Sequence, residues 1–152
     1  MNKSFFEQIQ DAADYLNLDL NAQEMAQLAV DHEYSEENIR IVAEMFTYLQ
    51  QKKKENIVST LLRLSRLPLK EPKTFESFDF GQLHGKQTDA LRNLPSLSAL
   101  YAHKNLAFIG PQGVGKTHLA MAYGRKCCQN GLKAYFLKAT ELNQRLTDAR
   151  KY

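Results

Sequence analysis

A chain of 152 residues, 43% hydrophobic and 24% charged, can bury a real core in one ordinary domain or two small ones, which excludes a disordered or fibrous polymer. No apolar run approaches the ~18 residues of a membrane span, MNKSFFEQIQDAADYL has no secretory h-region, and the adjacent Cys127 and Cys128 fit neither a disulfide framework nor metal-ligand spacing, so a cytoplasmic location is expected. The net charge of +3 is unevenly spread: residues 1–50 hold two Lys/Arg against ten Asp/Glu (−8), and residues 51–152 hold 18 against 7 (+11), which suggests different partners for the two parts and nucleic acid for the basic one.

Residues 1–67 contain neither Gly nor Pro and are predicted to be helical throughout. Ser4-Phe-Phe-Glu7 has the form of a capping box, and Phe5, Phe6, Ile9, Ala12, Ala13 and Leu16 follow on one face. Asn21-Ala-Gln-Glu24 offers a second cap, ahead of Met25, Leu28 and Ala29. Ser35 starts a longer helix whose first turn carries Glu36 and Glu37, where the helix dipole favours negative charge. Its apolar stripe runs from Ile39 through Val42, Phe46 and Leu49 to Leu64, and Pro68 stops it. This N-terminal region, 1–67, reads either as a partner-docking domain or as a module whose stripes are its own core. Lys52, Lys53 and Lys54 either touch DNA phosphates or form a solvated face.

Residues 68–104 read as linker and lead-in helix. Pro68 and Pro72 bias the chain away from helix, and Phe75, Phe78 and Phe80 either tie this segment to the core or cover a nucleotide base. Residues 86–102 follow as a helix, bent at Pro95.

Residues 105–152 carry the strongest motif. The apolar run Leu106 to Ile109 reads as a buried strand, Gly110-Pro111-Gln112-Gly113-Val114-Gly115-Lys116-Thr117 completes a G-x-x-x-x-G-K-[ST] phosphate loop, and Leu119 onward reads as helix. Phosphate oxygens need several backbone N–H donors aimed inward, which glycines permit through φ > 0 and close approach. Gly110 would turn the chain off the strand, and Gly113 and Gly115 would let backbone reach the phosphates. The next helix points its positive end at the anion, Lys116 supplies an ammonium, and the Thr117 hydroxyl completes a Mg²⁺ shell. Asn130-Gly131 closes that helix, Lys133 to Lys138 reads as a second strand, and Thr140 caps a last helix. Strand, helix, strand, helix is the opening of an α/β nucleotide-binding fold. The fold class expected is therefore α/β: an incomplete P-loop NTPase parallel sheet preceded by an all-helical domain.

From Leu61 to Leu146 the chain resembles the IstB-like ATP-binding proteins, relatives of the DnaC-type helicase loaders among the AAA+ ATPases. The residues that carry the resemblance are Arg66-Leu-Pro, Lys73-Thr-Phe, Phe78-Asp79-Phe80, Asn105 to Ile109, the GPQGVGKTHLA run from Gly110 to Ala120, and Gly131 with Ala134-Tyr-Phe. The resemblance implies ATP and Mg²⁺ as cofactors, assembly on DNA, service to a transposase or a replicative helicase, and a homo-oligomer at full length. His118 occupies the position after the loop threonine where this family often has histidine, with a packing and hydrogen-bonding role more in keeping with its place than a catalytic one. The acidic Walker B strand, sensors and arginine finger that the family places downstream are not found before Tyr152, so a C-terminally truncated form with little hydrolysis of its own is expected. Phe108, Ile109, Tyr135, Phe136 and Leu137 would then be partly uncovered. The alternative is a non-enzymatic interaction module in which the acidic helical domain docks a protein partner. A kinase-like P-loop enzyme would need an acceptor site downstream, and none is supplied.

Overall fold

The computed structural model describes residues 3–85 and 87–151. Lys86, where the lead-in helix was expected to begin, and Tyr152, the end of the last predicted helix, lie outside the described residues. The chain divides into two compact units, Met1–Ile57 and Val58–Tyr152.

In the first unit the helices begin where local chemistry can satisfy their free N–H groups. Helix α1 (Phe5–Leu16) opens on Ser4, whose Oγ accepts the Glu7 N–H at 3.2 Å while the Glu7 carboxylate accepts the Ser4 N–H at 2.8 Å. Such a reciprocal cap stabilises a helix by about 1 kcal/mol. Asn21 Oδ1 accepts the Gln23 N–H at 2.8 Å at the start of α2 (Ala22–Asp31). Ser35 and Asn38 exchange equivalent bonds, 3.3 and 3.1 Å, at the start of α3 (Glu36–Leu64). The buried residues are mostly small: Ala12, Ala13, Ala29 and Ala43 around Ile9, which lets helix backbones approach closely. A cavity of about 410 Å³ lined by Phe6, Ile9, Met25, Leu28, Tyr34 and Val42 remains beside this core. The lysine cluster is partly used within the unit: Lys53 Nζ donates to the Tyr15 carbonyl at 2.8 Å, closing the end of α1, and Lys52 pairs with Glu55 at 3.2 Å.

The second unit contains the end of α3, two 3₁₀ turns (Phe80–Gln82 and Leu94–Ser96), and helices α4 (Thr88–Arg92), α5 (Ser98–Tyr101), α6 (Lys116–Gln129) and α7 (Ala139–Ala149). Among the described residues no strand forms, so the expected parallel-sheet core of an α/β fold is corrected to a helical arrangement. The apolar runs Leu106 to Ile109 and Lys133 to Lys138 were read as strands from composition. A strand, however, exists only where a neighbour accepts its ladder of hydrogen bonds, and neither run has one. The Phe136 N–H instead donates to the Ser65 carbonyl at 2.7 Å. Ile109 is left 93% exposed and Tyr135 52% exposed.

The lead-in helix also departs from its expected form. Pro95 is the second residue of the 3₁₀ turn Leu94–Ser96, and Leu97 is buried with φ 55° in the left-handed region, so the segment breaks into α4, a turn and α5. The last helix starts at Ala139 with Lys138 in the capping position, two residues before the expected Thr140 cap. The core of this unit is built on α6, whose Leu119 and Ala122 are buried with Phe75 and Leu94. Phe75 thus ties the 68–83 segment to the core, aided by Arg125 donating to the Pro68 carbonyl at 2.7 Å. Cys127 and Cys128 are both buried as free thiols, and burial pushes the Cys127 thiol above its usual pKa.

Candidate functional site

The loop between Ile109 and α6 turns sharply at two positions. Gly113 has φ 86° and Gly115 has φ 88°, both in the left-handed region that side chains disfavour. Such turns curl the backbone so that successive N–H groups converge, the geometry of an anion nest. Gly110 does not adopt a left-handed φ, and a Cβ there would meet Val114 Cγ2 at an ordinary 3.5 Å, so the turning is done by the other two glycines. Gly115 is also the capping residue of α6 and has no side chain with which to cap it. The first-turn N–H groups of Lys116, Thr117 and His118 therefore have no side-chain partner at the positive end of a 14-residue helix.

Lys116 folds back over the loop, its Nζ donating to the Pro111 carbonyl. The ammonium is held over the loop by a single carbonyl, a partner that an anion can replace. Thr117 follows in the first turn of α6 and is exposed. Pro111, Gln112 and Val114 are exposed on the outside of the turn. His118 faces away from the loop: its Nε2 lies 2.8 Å from the Thr74 carbonyl and 3.2 Å from Ser77 Oγ, and its ring meets Phe78 edge-on at 5.2 Å. Phe78 in turn leans on the loop so closely that a Cβ on Gly115 would lie 2.5 Å from its Cε2.

Two clefts flank the loop. One, of about 520 Å³, lies between Gly113 to Gly115 and the wall Phe78, Asp79, Gln82, Leu83 and His84. The other, of about 370 Å³, is lined by Leu91, Phe108, Ile109, Pro111, Val114 and Lys116 among others. The motif residues Gly113 and Gly115 line one cleft and Gly110 and Lys116 the other, Thr117 lines neither, and of the three phenylalanines only Phe78 lines a cleft at the loop. Sequence reasoning missed Thr74, Ser77, Leu83 and His84. Thr74-x-x-Ser77 does carry a local signal, since the pair exchange backbone-to-hydroxyl bonds at 3.1 and 3.2 Å, whereas nothing in the spacing of Leu83 and His84 marks them. Among the described residues no three His, Cys, Asp or Glu side chains cluster as a metal site, and no helix is long and apolar enough to cross a membrane.

Comparison with known proteins finds relatives of this sequence. The family model described as IstB-like ATP binding protein matches residues 13–152. A protein named for ATP binding in insertion sequence IS5376 of Geobacillus stearothermophilus is 37% identical over 97 residues, 64% of this chain and 38% of that protein. One named in the same way for insertion sequence IS232 of Bacillus thuringiensis subsp. berliner is 27% identical over 150 residues, 97% of this chain and 59% of that protein. A third, from IS21 of Pseudomonas aeruginosa, is 37% identical over 90 residues, 59% of this chain and 33% of that protein. The chain therefore spans well under two thirds of the length of these relatives.

Proposed function

The chain belongs to the IstB-like ATP-binding protein family, and from that premise we propose that residues Gly110 to Thr117, with the backbone N–H of His118, form an ATP site serving DNA transposition of an insertion sequence. The observation that carries this reading is the pair of left-handed glycines, Gly113 and Gly115, leading into the uncapped α6. Backbone N–H groups and the helix end would receive the phosphates, and Lys116 Nζ would exchange the Pro111 carbonyl for a phosphate oxygen. Thr117 would contribute its hydroxyl to Mg²⁺, with phosphate oxygens and water completing the shell, as this ion ordinarily binds at nucleotide sites. The cleft beside Phe78, Leu83 and His84 has room for the base. Calorimetric titration with MgATP is expected to give saturable binding, and a folded chain that gives none would defeat the reading.

DNA and a transposase are the macromolecular partners of this reading, with +11 on residues 51–152 as the support for DNA. Binding to duplex DNA should weaken linearly in log K against log salt, by about 0.9 per phosphate neutralised. A flat salt dependence, or no binding at low salt, counts against the DNA contact and leaves the ATP site untouched.

A further inference from the structure

We propose that His118 is a positioning residue, which fixes the base end of the nucleotide site by holding the 74–84 wall against the phosphate loop. The proposal rests on the nucleotide reading above and goes further, since it assigns His118 to the base rather than to the phosphates. A carbonyl oxygen can only accept, so the 2.8 Å contact with Thr74 puts a hydrogen on Nε2 of His118. The histidine donates across from the first turn of α6 into the segment that precedes the base cleft.

That segment is stiff enough to transmit the contact. Thr74 and Ser77 lock each other through their reciprocal bonds, and Ser77 Oγ also donates to the Thr74 carbonyl at 3.1 Å. Asp79 Oδ1 accepts the Gly81 N–H at 2.9 Å and caps the start of the following 3₁₀ turn. Arg92 donates to the Phe80 carbonyl at 3.2 Å and anchors the far end. Leu83 and His84 come directly after that turn and line both clefts. Among the described residues, the His118 Nε2–H makes the hydrogen bond that joins residues 70–85 to the loop and α6: it donates to the Thr74 carbonyl, with Ser77 Oγ beside it at 3.2 Å. The remaining links are apolar: Phe75 in the core, and Phe78 on Gly115 and on the His118 ring itself. Apolar contacts permit sliding where a hydrogen bond fixes register.

A residue that positions the base wall has a signature that a loop residue lacks. Inorganic tripolyphosphate presents the same anionic chain as ATP with no base, so the two ligands separate the ends of the site. In calorimetry with Mg²⁺, the wild type should bind both. His118→Ala should weaken ATP roughly tenfold, the worth of about one hydrogen bond, and leave tripolyphosphate unchanged. His118→Gln, whose Nε2–H reaches a similar position, should recover most of the ATP affinity. Equal losses for ATP and tripolyphosphate in His118→Ala, undiminished ATP binding, or a folded His118→Gln as weak as the alanine variant would each overturn the proposal. A wild type that binds neither ligand overturns the nucleotide reading itself, and this inference with it.

Discussion

Gly115→Ala is expected to lower the melting temperature of the 58–152 unit by on the order of 10 °C and to remove ATP binding. Two costs act together at this position. With φ at 88°, an alanine carries a left-handed penalty of about 1–2 kcal/mol. Its Cβ would also lie 2.5 Å from Phe78 Cε2, so the ring must swing away from contacts with Phe80 at 4.9 Å and His118 at 5.2 Å. Overpacking of this kind costs about 1–3 kcal/mol. Gly113→Ala separates the terms, because Gly113 has nearly the same φ, 86°, with open space where its Cβ would go. It should show the backbone penalty alone. If thermal melts place the two variants together, the Phe78 contact contributes nothing. If Gly115→Ala with Phe78→Ala melts no higher than Gly115→Ala, the ring is not the source of the clash.

Lys116→Ala is expected to behave in the opposite way, with a fold close to wild type and ATP affinity reduced by about 10–100-fold. The lysine is only partly buried, and its one recorded bond is to the Pro111 carbonyl on an exposed residue, which water can serve once the ammonium is gone. Stability should therefore move by no more than about 0.5–1 kcal/mol. Charge-assisted hydrogen bonds contribute about 1.5–3 kcal/mol, which sets the loss of affinity. Tripolyphosphate should lose as much as ATP, because this side chain addresses the anion and not the base. Equal ATP binding in wild type and variant would remove the ammonium from the site.

Much of the helical architecture was legible because its determinants are short-range. Ser4 with Glu7, Asn21 with Gln23 and Ser35 with Asn38 lie within three residues of one another, so the caps can be read directly from neighbours in the chain. Gly113 and Gly115 were legible for the same reason: a tight turn demands a residue type at a fixed spacing. The sheet was not, since Leu106 to Ile109 records that its residues are apolar and not what lies beside them. Pairing is a property of two segments, and an apolar run names only one. Leu97 shows the same limit on a smaller scale: it lies within the span read as one helix, yet it is buried with a left-handed φ between the 3₁₀ turn and α5. The contact from His118 to Thr74 spans 44 residues, and no local pattern at either end points to the other.

The two buried cysteines make this protein convenient to report on. Alkylating reagents act on exposed thiolate, and Cys127 and Cys128 sit inside α6 at 6% and 0% exposure. A maleimide dye would leave the native fold dark and would find a single cysteine set at the exposed Gln112, so fluorescence from the tip of the loop could follow each arrival and departure of a ligand.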